Sequence, residues 1–103
     1  MARVAWTEPA LNDLNDLAHY ISLENISAAK ALVTRIFSST ERLSLFPESG
    51  RVPPELPQLR YRELIVGPCR VFYRYDSDAQ VVHILHVMRS ERLLRGFIID
   101  NWS

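Results

Sequence analysis

Three glycines in 103 residues are too few to build a glycine-rich phosphate loop, which excludes the nucleotide-binding enzymes that depend on one. A single cysteine, Cys69, excludes an internal disulfide. With no Cys/His set beside it, Cys69 reads as a small strand residue in a chain suited to a reducing cytoplasm. No apolar run approaches the roughly 18 residues of a membrane span, and the opening MARVAW carries no apolar leader, so a soluble, unsorted cytoplasmic protein is expected. Net charge is missing too. Twelve basic residues balance twelve acidic ones, so the chain lacks the bulk positive field of a nonspecific nucleic-acid binder.

Lysine is almost absent: of the twelve basic residues only Lys30 is lysine, and eleven are arginine. The charge is also segregated. Residues 1–50 hold four bases against six acids, and residues 51–103 hold eight arginines against six acids, so an anion-recognising surface belongs in the C-terminal half. There, between Leu59 and Arg92, three apolar runs are studded with Arg60, Arg62, Arg70, Arg74, Arg89 and Arg92. A strand that alternates arginine with aromatic and β-branched residues buries one face and holds planar, permanently charged forks on the other. Each arginine also has a plainer role, as a solubilising edge residue or the partner of a nearby acid such as Glu63.

The order of elements follows from hydrophobic periodicity. Arg3 to Trp6 reads as a strand, and Thr7 offers an N-cap before Glu8 and Pro9 in a first helical turn. Ala10, Leu11, Leu14, Leu17, Ala18 and Ile21 recur at spacings of three and four and form one apolar stripe. That helix ends near Leu23 to Asn25. Ser27 is the candidate cap of a second, longer helix through Leu32, Ile36 and Leu43 to about Leu45. Phe46-Pro47-Glu48-Ser49-Gly50-Arg51 stops it, and Val52 to Pro57, with three prolines, is an extended loop. From Leu59 the period becomes two. Turns at Gly67-Pro68 and Asp76-Ser77-Asp78 divide three antiparallel strands, and after Met88 the chain leaves the sheet. Residues 89–99 are either a short terminal helix or a tail.

The predicted architecture is therefore a single α+β domain over residues 1–103, β-α-α-β-β-β, with a helical hairpin on one face of an antiparallel meander. In the middle strand Cys69, Val71, Tyr73 and Tyr75 should meet the helices, leaving Arg70, Phe72, Arg74 and Asp76 on the other face. His83 and His86, three apart in a strand, should point to opposite faces, which argues against a shared metal. His19 reads as surface. Ser90 has no identifiable base, and the carboxylates at Asp13 and Asp16 read as a solvated helix face. No catalytic residue, metal or cofactor is assigned.

The stretches V-A-W-T-E-P-A-L-N-D-L, F-P-E-S-G-R, Y-R-E-L-I-V-G-P-C-R-V-F-Y-R-Y-D and V-H-I-L-H-V-M-R-S-E-R resemble the ParE/RelE toxin superfamily, closest to its ParE branch. The resemblance runs from about Val4 to Arg92. It implies a RelE/ParE-like fold and the toxin half of a bacterial type II toxin–antitoxin pair. ParE-like members inhibit DNA gyrase by trapping it on cleaved DNA and are neutralised by a ParD-like antitoxin, whereas RelE-like members cleave mRNA on the ribosome. RelE-type members use strand lysines, an arginine after the hairpin turn and a C-terminal tyrosine. Here Arg62 and Leu64 stand at the lysine positions, Arg70 matches the arginine, and no tyrosine follows Tyr75. An arginine rarely releases its proton, so the proton-transfer set is incomplete. The resemblance thus implies a non-enzymatic gyrase inhibitor without sequence-specific nucleic-acid binding, whose antitoxin and gyrase contacts use Arg60, Arg62, Arg70, Arg74, Arg89 and Arg92. The alternative is a RelE-like mRNA endonuclease. The stretch Arg89-Ser90-Glu91-Arg92 departs from the His-Gly-x-Arg ending common in ParE-like members and keeps only the final arginine.

Overall fold

The computed structural model describes residues 1–55 and 57–90. Strand β1 (Arg3–Trp6) leads into helix α1 (Glu8–Ser22) and helix α2 (Ile26–Glu41). A 3-10 turn over Arg42–Ser44 follows, then β2 (Arg62–Val66), β3 (Cys69–Asp76) and β4 (Val81–Arg89). The strands form one sheet in the order β1-β4-β3-β2, in which β1 runs parallel to β4 and the other pairs are antiparallel. The expected element order and meander are both present.

Local chemistry sets the boundaries. Thr7 caps α1 by accepting from the Ala10 amide (3.3 Å), and its hydroxyl donates to the Ile84 carbonyl at 2.7 Å, fixing the corner between β1 and α1 onto β4. The second cap is Asn25 rather than Ser27: its side-chain oxygen accepts from the Ala28 amide at 3.0 Å. Asparagine and serine are comparable caps, and position relative to the turn decided between them. Gly67 takes φ +57 in the β2–β3 turn, and Gln80 takes φ 54 before β4.

The core lies between the helical hairpin and one face of the sheet. Ala10 and Leu14 of α1 and Leu32 and Ile36 of α2 pack with Val71, Tyr73, Val82, Ile84 and Val87, and Cys69 is buried among them. The predicted helix-facing set of β3 is therefore correct, with Tyr75 at its margin. Trp6 and Phe37 add a tilted ring pair with centroids 4.9 Å apart.

Strand β4 carries a β-bulge. Tyr73 pairs with Ile84 while Phe72 pairs with His86, so Leu85 is the extra residue. This reverses the expectation for the histidines, because His83 lies opposite Arg74 and His86 opposite Phe72, positions of β3 that share a face. Strict alternation fails wherever a residue is inserted. The bulge falls where β1 ends, since the parallel pairing stops at Trp6 with Ile84. Beyond that point Asp13 of α1 covers the strand edge: its Oδ2 accepts the Val87 amide at 3.1 Å and lies 2.9 Å from His86 Nδ1. Asp13 is thus no idle solvated residue, a role its helical spacing does not reveal.

Tyr73 ties the sheet to the stop after α2. Its hydroxyl accepts the Gly50 amide at 2.8 Å, and a Cβ on Gly50 would lie 2.5 Å from that oxygen. Burial pushes the Tyr73 phenol above its ordinary 10.0, with the Gly50 amide acting in the opposite direction. The folded state then holds this proton more tightly than the unfolded chain does. Its contribution to stability is full below pH 10.0 and is lost as pH rises through the raised folded value. Tyr73→Phe should therefore show a smaller alkaline fall in denaturation midpoint than the wild-type chain. Equal falls would place the titration elsewhere.

Candidate functional site: the arginines of the meander

The arginines do not converge on one face. Arg62 pairs with Tyr73, a core-facing position of β3, whereas Arg70 and Arg74 belong to the opposite set. Arg62 is half-buried, donates to the Gly50 carbonyl at 2.9 Å and lies 3.7 Å from the Glu48 carboxylate. With exposed Arg60 it lines a cleft of about 250 Å³ that also includes Glu48, Tyr61, Tyr75 and Ser77. Arg74 is exposed on the far face. Exposed Arg89 closes β4 with its guanidinium 6.0 Å from the Tyr20 ring centre, in a cleft of about 330 Å³ beside Asp13 and Asp16. Arg92 lies outside the described residues, as do residues 91–99 of the possible terminal helix.

Arg70 turns inward. It is 5% exposed and sits in an ion network with Glu55, Glu63 and, through Glu63, Arg51. Its Nε donates to Glu63 Oε1 at 2.7 Å, while Nη1 and Nη2 reach Glu55 Oε2 and Oε1 at 2.7 and 2.8 Å. Glu63 is itself 1% exposed and takes Arg51 Nε on its other oxygen at 2.6 Å. The guanidinium carbon of Arg70 lies 5.0 Å from the Phe72 ring centre. Glu55 is the largest influence raising the Arg70 pKa above its ordinary value; burial opposes it and Glu63 adds to it.

Register explains the arrangement. Glu63 faces Phe72 across the β2–β3 ladder, on the same face as Arg70 two pairs away, and the Arg51–Glu63 bridge brings Arg51 alongside. The plainer reading of a strand arginine, as the partner of Glu63, is the one realised at Arg70. The face expected to present cations to an outside anion is closed there by internal carboxylates. Glu55 and Arg51 carry no sequence signal for this, because both come from the proline-rich approach to β2.

One strand, a helical hairpin and a three-stranded meander, with β1 parallel beside β4, define the α+β class of the RelE/ParE-like fold. Residues 4–94 match the family of the ParE toxin of type II toxin–antitoxin systems, parDE. The chain belongs to this family, within the RelE/ParE superfamily, and is by that membership a type II toxin. It is 36% identical over 93 residues to Toxin RelE2 of Caulobacter vibrioides, covering 90% of this chain and 100% of that protein. Toxin ParE3 of the same organism is 36% identical over 84 residues, covering 80% and 82%. Among solved structures, the chromosomal ParDE system from P. aeruginosa includes a chain that aligns at a TM-score of 0.71 and 25% identity, over 88% of this chain and 98% of that one. The toxin–antitoxin complex RelBE2 from Mycobacterium tuberculosis gives 0.57 and 27%, over 85% and 96%. Relatives named for both branches are equally identical, so overall identity does not choose a target.

Proposed function

We propose that this toxin inhibits DNA gyrase by binding and stabilising gyrase on cleaved DNA, without enzymatic activity of its own, and that a ParD-like antitoxin neutralises it. The observation that carries this reading is the engagement of Arg70. Phosphodiester cleavage needs cations on the scissile phosphate and groups that give and take protons beside it. The arginine at the matched position is instead held by Glu55 and Glu63, and Arg62 lies on the opposite face of the sheet. Recognition of proteins makes lighter demands. Exposed Arg60, Arg74 and Arg89 offer cations to acidic partner residues, and rim charges of this kind set association rate and partner choice.

Antitoxin capture is supported by the two solved neighbours, each from a toxin–antitoxin system, and by the helical hairpin. A groove of about 580 Å³ between α1 and α2 is lined by Ala18, Ile26, Ala29 and Val33, a setting suited to the apolar side of an amphipathic helix. The alternative, ribosome-dependent mRNA cleavage, draws on the identity with Toxin RelE2. Transcript mapping after induction without antitoxin separates the two. The proposal expects no new 5′ ends at codon-defined positions, and their appearance with gyrase unaffected would overturn it.

A further inference from the structure

We propose that Arg3, His83 and Arg74 form a docking surface for a short acidic segment of a protein partner, on the sheet face turned away from α1 and α2. Alternation along each strand puts them there. Val4 and Trp6 of β1, Val82 and Ile84 of β4, and Tyr73 and Tyr75 of β3 pack into the core, so Arg3, His83 and Arg74 take the opposite face. Register then sets them side by side. His83 pairs with Arg74 on one flank and with Ala5 on the other, and Arg3 stands two residues before Ala5 on the same face. The strands are adjacent in the order β1-β4-β3, so two strand spacings, roughly 10 Å, separate the arginine-bearing strands, with the imidazole on the strand between.

Arg3 and Arg74 are exposed and His83 is half-buried, and among the described residues no side-chain hydrogen bond or ion pair engages any of the three. Asp76, two residues along β3 on the same face, gives its Oδ1 to the Asp78 and Ala79 amides, each at 3.1 Å, and so serves the turn. The surface therefore carries two permanently charged forks, each able to take a carboxylate with two parallel hydrogen bonds, and an imidazole N–H between them. Charge complementarity selects the occupant. Asp76 and Asp78 bound the patch at the β3–β4 turn, and the chain as a whole has no net charge, so a long polyanion crossing this face meets repulsion at that end. A segment with two carboxylates fits inside that boundary. The inference goes beyond the gyrase reading, because it concerns a face separate from the α1–α2 groove and holds whichever target the toxin arrests.

The test titrates the full chain, at fixed pH and ionic strength, with a short synthetic peptide of alternating glutamate and alanine, and in a separate arm with single-stranded oligothymidylate. Arginine side-chain and histidine ring resonances are followed by NMR. The peptide should move Arg3, Arg74 and His83 along one saturable curve, with Arg60 as the exposed arginine that does not follow it. The double variant Arg3→Gln/Arg74→Gln should bind the peptide about tenfold more weakly than wild type at an unchanged melting temperature, and Arg60→Gln should bind as wild type does. If the double variant folds poorly, the shift pattern of the wild type decides alone. Absence of a saturable shift, an equal shift at Arg60, or oligothymidylate binding more tightly than the peptide overturns the proposal, the last by marking the surface as a nucleic-acid phosphate site.

Discussion

Glu63→Ala should destabilise the fold by about 3–5 kcal/mol, the usual consequence of removing one member of a buried ion pair. Against a total stability on the order of 5–15 kcal/mol for a domain of this kind, that is enough to bring the chain close to unfolding. The loss arises on β3. Glu63 is buried and serves Arg70 and Arg51 with different oxygens, so alanine leaves the Arg70 Nε–H without its acceptor inside the protein. Arg51 is mostly exposed and recovers its hydrogen bonds from water, so its share is small. Glu63→Gln keeps the shape and one acceptor oxygen and should lose less. Urea unfolding checks the ordering: the midpoint should fall in the order wild type, Glu63→Gln, Glu63→Ala at unchanged slope. A Glu63→Ala midpoint matching wild type would show that the network contributes nothing to the fold.

Ile36→Ala should cost about 2–5 kcal/mol, and Ile36→Val about 0.5–1.5 kcal/mol, because the larger deletion leaves a cavity that its neighbours only partly fill. Ile36 is completely buried on the stripe Ala29, Leu32, Ile36 and Thr40, which holds α2 against the sheet. The adjacent Phe37 is 37% exposed and rests against Trp6, so Phe37→Ala offers a contrast on the same helix turn with less buried surface removed. Comparable losses at positions 36 and 37 would mean that the stripe does not carry the packing.

Most of the fold was legible because period and punctuation agree along the chain. Three- and four-residue spacing marks both helices, Thr7 and Pro9 mark the start of α1, and Gly67-Pro68 marks the β2–β3 turn. What escaped the sequence came from tertiary geometry. The inserted Leu85 brings His83 and His86 into phase, and nothing local distinguishes it from an ordinary strand residue. Cap choice between Asn25 and Ser27 depended on where the turn placed each side chain.

The candidate site was less legible than the fold. Spacing along one strand identifies which residues share its face, so Arg70 and Arg74 were correctly separated from Tyr73. It does not show what covers that face. Glu55 reaches Arg70 across fifteen positions and Asp13 reaches His86 across seventy-three, separations for which a single sequence carries no pattern. Arginine composition alone therefore overstated the cation surface, and the ion network reduces its outward-facing part to Arg60, Arg74 and Arg89 among the described residues, with Arg62 half-buried beside Arg60.

The gyrase proposal is tested most directly by combining purified toxin with DNA gyrase, ATP and relaxed plasmid, and resolving the DNA after protein digestion. Inhibition of supercoiling together with toxin-dependent accumulation of linear, gyrase-cleaved plasmid is the predicted result. Undiminished supercoiling with no cleaved DNA, from toxin preparations that still arrest growth when expressed without antitoxin, would contradict it.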